Sequence, residues 1–335
     1  MHLYGQTVSQ EVGGNMEQKK IKKTRIVSWV GTLLMVASLV FLGRRLFNEQ
    51  ADSDFYLVDL FTTGVVIGLI TVALLEGVGI LMAAFNFRAL VKNVSGVLVT
   101  KSLGMVVYTL SNLYKYIPGG VMYVVGRNRL AVETDELSHP KVALATVIEG
   151  IITAFAAITL IILTVFEHAM DYLYQVEWPR AFVIVLIIIA VLAGSAAFSL
   201  RHKIKQGLNK LFDHMKVLSI SVIIKRFGFG LLIMTLWGGT FLATLIVLGQ
   251  PLEFNQMFTV VGLFLLSWLV GFLTPGAPSG IGIREIVMLM FMGGILYEDI
   301  LLAAMLMHRI VAASGDIAAY GAAIAYGYLS KKEAV

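Results

Sequence analysis

Five ionisable side chains fall inside segments apolar enough to lie in a membrane: Glu76, Lys101, Glu149, Arg309 and Asp316. Each costs roughly 2.5–3.5 kcal/mol at the centre of a spanning helix, so each needs a partner or a polar cavity. Glu149 lies roughly 10 Å along its apolar segment at the helical rise. Glu149 and Arg309 are expected either to form a buried structural ion pair or to line a functional polar cavity, and the two readings are compatible. Arg309 and Asp316 are about two turns apart and share one face of the last helix, whereas the adjacent His308 faces elsewhere. Lys101, near a helix end, can alternatively snorkel, so it and Asp316 are accessory candidates.

Two more arginines stand at matched positions. Arg127 follows Pro118-Gly119-Gly120, and Arg284 follows Pro275-Gly276 at the same spacing. A guanidinium fork suits a phosphate oxyanion, so this pair, with backbone donors at the Pro-Gly tips, is expected to contact a phosphate. That would favour anionic over zwitterionic lipids. Glu285 follows Arg284 directly, and Glu149 would neutralise an Arg or meet a cationic head group.

Enzymatic motifs are missing. The chain has no His-Glu-x-x-His, P-loop or dinucleotide fingerprint, and its six His do not cluster at metal-ligand spacing. Asp52-Ser-Asp54 resembles the Asp-x-Asp of metal-dependent glycosyltransferases, but a loop of about a dozen residues cannot build a nucleotide-sugar site. The expectation is a protein that is not an enzyme, with no catalytic residue, cofactor or metal. Cysteine is absent, which excludes disulfides and thiolate sites.

The elements that must hold these residues are membrane helices. The chain is 58% hydrophobic and 14% charged, with a mean hydropathy of +0.84; this is the composition of a polytopic membrane protein. Its net charge of +5 comes from basic residues in short loops beside apolar spans, which argues against nucleic-acid binding. Full spans are predicted at about 26–43, 55–85, 142–165, 181–200, 227–248 and 299–329, each near the roughly 20 residues needed to cross. They form one domain over 25–330, with a basic N-terminal tail at 1–24 and a short tail at 331–335. Met16 is an alternative start to Met1.

Between the spans lie two broken segments, about 94–130 and 256–297. Pro118, Gly119 and Gly120 in the first, and Pro275, Gly276, Gly280 and Gly282 in the second, interrupt helix and free backbone polar groups. Broken backbone at membrane depth survives only inside protein or beside a polar cavity. Basic loops at Arg88/Lys92, Arg127/Arg129/Lys141, 201–216 and Lys331/Lys332 mark the cytoplasm, which places both termini there. On that orientation the first broken segment begins and ends inside and the second begins and ends outside. The prediction is an all-α fold of about six full spans plus two re-entrant hairpins forming an inverted repeat. Gly64 and Gly68, and Gly315, Ala319 and Ala323, have small-xxx-small spacing for helix packing. Tyr114, Tyr116 and Tyr123 suit either an interface or a cavity wall.

The order of these features resembles the lysylphosphatidylglycerol synthase transmembrane-region family, which includes the flippase half of the multiple peptide resistance factor. The resemblance covers about 26–329. It is carried by the Pro-Gly segment ending Gly126-Arg127, by Glu149, by the Pro-Gly run ending Gly-Ile-Gly-Ile-Arg-Glu285, and by Arg309. It implies a flippase-like or scramblase-like translocase of lipids with charged or glycosylated head groups, in the cell membrane, serving envelope lipid or polysaccharide biogenesis. The implied partners are a phospholipid or polyprenyl-linked lipid, with a glycosyltransferase as a further candidate and no oligomeric state specified. Family members often carry an Arg after the intramembrane Glu. Gly150 stands there in this chain, so the partner of Glu149 must come from another helix. No aminoacyl-transferase domain is expected in these residues, and hence no synthesis of lysylphosphatidylglycerol. Two alternatives stand beside this reading: a membrane subunit scaffolding a glycosyltransferase, and an ion-coupled transporter of a small solute.

Overall fold

The computed structural model describes residues 44, 62–116, 122–134, 136–175, 218–274, 280 and 282–332, with backbone only at 166–175 and 331–332. The predicted spans at 26–43 and 181–200, the tail at 1–24 and the loop at 201–216 lie outside the described residues. So do Pro118, Gly119, Gly120, Pro275 and Gly276.

Among the described residues the protein is all helical, with no strand. In chain order the helices are α1 (Thr63–Ser95), α2 (Lys101–Leu113), α3 (Met122–Arg127), α4 (Arg129–Glu133), α5 (His139–Gln175), α6 (Ile220–Val247), α7 (Phe254–Leu273), α8 (Ile283–Met292) and α9 (Glu298–Lys332), with a 3₁₀ turn at Tyr114–Tyr116. Five of them, α1, α5, α6, α7 and α9, are long and apolar enough to cross a membrane. The protein is therefore a helical membrane protein. Four correspond to predicted spans. The fifth, α7, was expected as a hairpin arm, yet its 20 residues are themselves enough to cross. In contrast, α2 has 13 residues and α8 has 10, about 20 and 15 Å at the helical rise, and neither reaches across a bilayer alone.

Local sequence accounts for the boundaries. α1 ends where Gly96 adopts φ 79° and donates its N–H to Lys92 O. α6 begins at Ser219, whose hydroxyl accepts from the Val222 N–H, and Gln256 reaches back to the Glu253 N–H at the start of α7. Side chains are arranged as lipid requires. Ile67, Ile70 and Leu74 of α1, Leu163 of α5 and Ile317 of α9 are exposed, while Glu76, Glu149, Glu285 and Asp316 are buried.

The long helices pack around an apolar centre that includes Phe87 of α1, Ile148 of α5, Phe241 of α6 and Leu263 of α7. α9 lies against α1 at a contact that larger residues would block. A Cβ at Gly77 would sit 2.9 Å from Gly315 O, and one at Gly315 would sit 2.7 Å from Ala73 O. Ala319 and Ala323 continue this seam fully buried, as their spacing predicted. Gly68 meets Val247 of α6, whereas Gly64 has open space around it.

Candidate functional site

All five predicted head-group residues, Arg127, Glu149, Arg284, Glu285 and Arg309, line one cavity of about 550 Å³. Its walls also carry Glu76 of α1, Tyr108 and Asn112 of α2, Lys115 and Tyr116 of the 3₁₀ turn, Trp237 of α6, Trp268 of α7 and His308 of α9. Most of these charges are held in pairs, and Glu149 with Arg309 is not among them.

Glu149 does not bond Arg309. Its Oε2 accepts from Arg127 Nη1, and its Oε1 accepts from Tyr108 OH at 2.9 Å. The partner does come from another helix, as the absence of an adjacent Arg required. Arg127 sits at the end of α3, which packs on both α2 and α5 and so brings the guanidinium to the buried carboxylate. Three rings surround it: Tyr108 at 4.2 Å, Phe87 at 4.8 Å and Tyr123 at 5.3 Å from its central carbon. Gly126 makes room for Tyr114, because a Cβ there would lie 2.5 Å from that ring. Arg127 is thus a buried site residue and not the exposed loop charge used to assign the cytoplasmic side.

Arg309 instead bonds Glu285, with its Nε 2.7 Å from Oε1 and a second contact through Nη2. The other oxygen of Glu285 accepts from the Gly282 N–H at 2.8 Å. Glu285 therefore caps the first turn of α8 and ties it to α9.

Asp316 is fully engaged behind the wall. It accepts from Lys115 Nζ at 2.7 Å, Asn112 Nδ2 at 2.7 Å and Tyr116 OH at 2.6 Å. Lys101 lies exposed at the first turn of α2, away from the cavity.

Arg284 is different. Among the described residues no carboxylate pairs with it, and its guanidinium lies 5.1 Å from the Phe264 ring centre. Its position is set where the chain doubles back after α7. Gly280, at φ 69°, would bring a Cβ to 3.0 Å from Gly271 Cα, and the stem of Arg284 packs against both glycines. A side chain at either position would push the Arg out.

Several residues on or just behind the wall had no sequence signal. Lys115 and Asn112 reach Asp316 across about 200 positions of chain. Thr240 hydrogen-bonds Glu76 at 2.7 Å from within an apolar run. His308 is clamped edge-on by Phe241 and Phe264 at 5.4 and 5.0 Å, 3.4 Å from the Thr244 hydroxyl. Tyr116 and Tyr123 resolve as cavity wall. No group of His, Asp or Glu that could hold a metal ion occurs among the described residues.

A cavity of this size, with charged side chains on walls built in part by membrane-length helices, can accept a charged group. No protein-family model matches the chain, and no curated protein matches it.

Proposed function

We propose that the protein is a membrane lipid translocase, flippase-like or scramblase-like, that carries a charged or glycosylated head group through the cavity while the acyl or polyprenyl tails stay in the bilayer. The observation that carries this reading is the cavity itself: about 550 Å³, with Arg284 on its wall and no carboxylate paired with it among the described residues, between helices long enough to cross a membrane. An uncommitted guanidinium is suited to a head-group phosphate. Phe272 favours lipid over a water-borne solute. It lines the cavity, is 42% exposed and lies beside Gly150 of α5, an apolar edge that suits a head group whose tails stay in lipid.

The resemblance to the lysylphosphatidylglycerol synthase transmembrane region supports the same reading. In this proposal the segments around α2–α3 and α7–α8 are re-entrant hairpins of an inverted repeat. The termini are cytoplasmic, the membrane is the cell membrane, and the translocated lipid feeds envelope lipid or polysaccharide assembly, with a glycosyltransferase as partner. The proposal assigns no catalytic residue.

The test is leaflet exchange of acyl-chain-labelled lipids in proteoliposomes. Phosphate-bearing lipids are expected to exchange faster than in empty liposomes and faster than a diacylglycerol analogue gains from the protein. Exchange at the empty-liposome rate for every lipid class, with fold and orientation confirmed, would replace this reading with the scaffold one.

A further inference from the structure

The charges of the cavity balance, which changes what it should bind. The cations Lys115, Arg127, Arg284 and Arg309 are matched by the carboxylates Glu76, Glu149, Glu285 and, behind Lys115, Asp316. Three cations are already spent on Asp316, Glu149 and Glu285. Two charges of opposite sign remain without an ion-pair partner among the described residues: Arg284 on α8 and Glu76 on α1. Arg127, committed to Glu149, supplies none of the cationic surplus on which an anionic preference would rest.

Glu76 is buried, and its hydrogen-bond partner is the Thr240 hydroxyl at 2.7 Å. That hydroxyl also lies 2.7 Å from Trp237 O. A hydroxyl has one proton, and a backbone carbonyl can only accept. When Thr240 donates to Trp237 O, the Glu76 carboxyl must carry a proton of its own or meet a cation from elsewhere. The nearby wall suits a cation: Trp237 and Trp268, 6.5 Å apart, both line the cavity and offer aromatic faces.

We propose that the cavity takes the head group of a zwitterionic phospholipid, its ammonium at Glu76 and its phosphate at Arg284. This rests on the translocase reading and specifies its substrate class. Such a head group completes both unpaired charges at once and leaves the cavity neutral. A purely anionic head group would leave Glu76 unmet.

Binding separates this proposal from transport. Purified full-length chain in neutral detergent is heated with phosphatidylethanolamine, its N-acetylated form, phosphatidylglycerol or free phosphoethanolamine, and the unfolding temperature is followed. Phosphatidylethanolamine is expected to bind about tenfold more tightly than either lipid lacking the ammonium, the size of one charge-assisted contact. Glu76→Gln should abolish that difference, and a cooperative unfolding transition of the variant without added lipid reports an intact fold. The N-acetyl comparison needs no variant. Equal binding of the ethanolamine lipid and its N-acetyl form would overturn the proposal, as would a preference that survives Glu76→Gln. Free phosphoethanolamine binding as tightly as the lipid would overturn it in favour of a soluble substrate. The two readings fail separately: selective binding without leaflet exchange removes the translocase, and exchange without ammonium selectivity removes the zwitterion.

Discussion

The two broken segments make the same kind of connection with opposite polarity. In the first, Arg127 bonds Glu149, 22 residues later on the next long helix. In the second, Glu285 bonds Arg309, 24 residues later on the next long helix. Each break thus pins itself to the helix that follows by one buried ion pair, with the cation on the break in one half and the anion in the other. The matched arginines do different jobs. Arg127 is used up in its pin, whereas in the second segment Glu285 serves as the pin and Arg284, one position earlier, is left facing the cavity. Equal spacing from a Pro-Gly pair therefore does not imply equal chemistry; what decides is which neighbour the following helix supplies.

The comparison can be broken at the first pin, where the largest effect is expected. Arg127 and Glu149 side chains are 7% and 11% exposed. Removing one partner as Arg127→Gln or Glu149→Gln should cost about 3–5 kcal/mol, because a buried charge is left alone, and the double variant should cost less than the sum. Thermal unfolding in detergent of both singles and the double reads this directly. The same cycle on Glu149 and Arg309, the pair expected from sequence, should be additive.

The second pin should be weaker. Arg309 is 20% exposed, so water can partly solvate it once Glu285 is gone, and Glu285→Gln is expected to cost about 2–3 kcal/mol. A loss equal to that at Arg127 would show that solvent access does not separate the two halves. Tyr108→Phe sharpens the first pin further. It removes one donor from Glu149 but leaves the arginine, and a cost of about 1.5 kcal/mol is expected in the same unfolding measurement.

How far the site could be read from sequence follows from the same geometry. Charges within apolar runs identify themselves, because lipid tolerates few of them, and this singled out Glu149 and Arg309; Arg127 and Arg284 stood out by their spacing from the Pro-Gly pairs, and all four line one cavity with Glu285. The pairing was not legible. Glu149 and Arg309 line one cavity, but each finds a nearer partner delivered by a break, and no spacing along the chain encodes which helix packs on which. Lys115 and Asn112 met the same obstacle at Asp316. Thr240 was hidden for another reason: a lone hydroxyl in an apolar helix usually bonds its own backbone, and its link to Glu76 exists only because α6 lies against α1.

The smallest effect on stability is expected at Arg284, and it is the most informative. With no carboxylate among the described residues to orphan, Arg284→Gln should change unfolding by no more than about 0.5 kcal/mol. Leaflet exchange of a phosphate-bearing lipid by this variant asks whether the guanidinium carries the head group. Exchange is expected to slow about tenfold, with Arg284→Lys restoring it in part because the charge returns without the planar fork. Wild-type exchange rates in Arg284→Gln, at unchanged stability, would contradict that role.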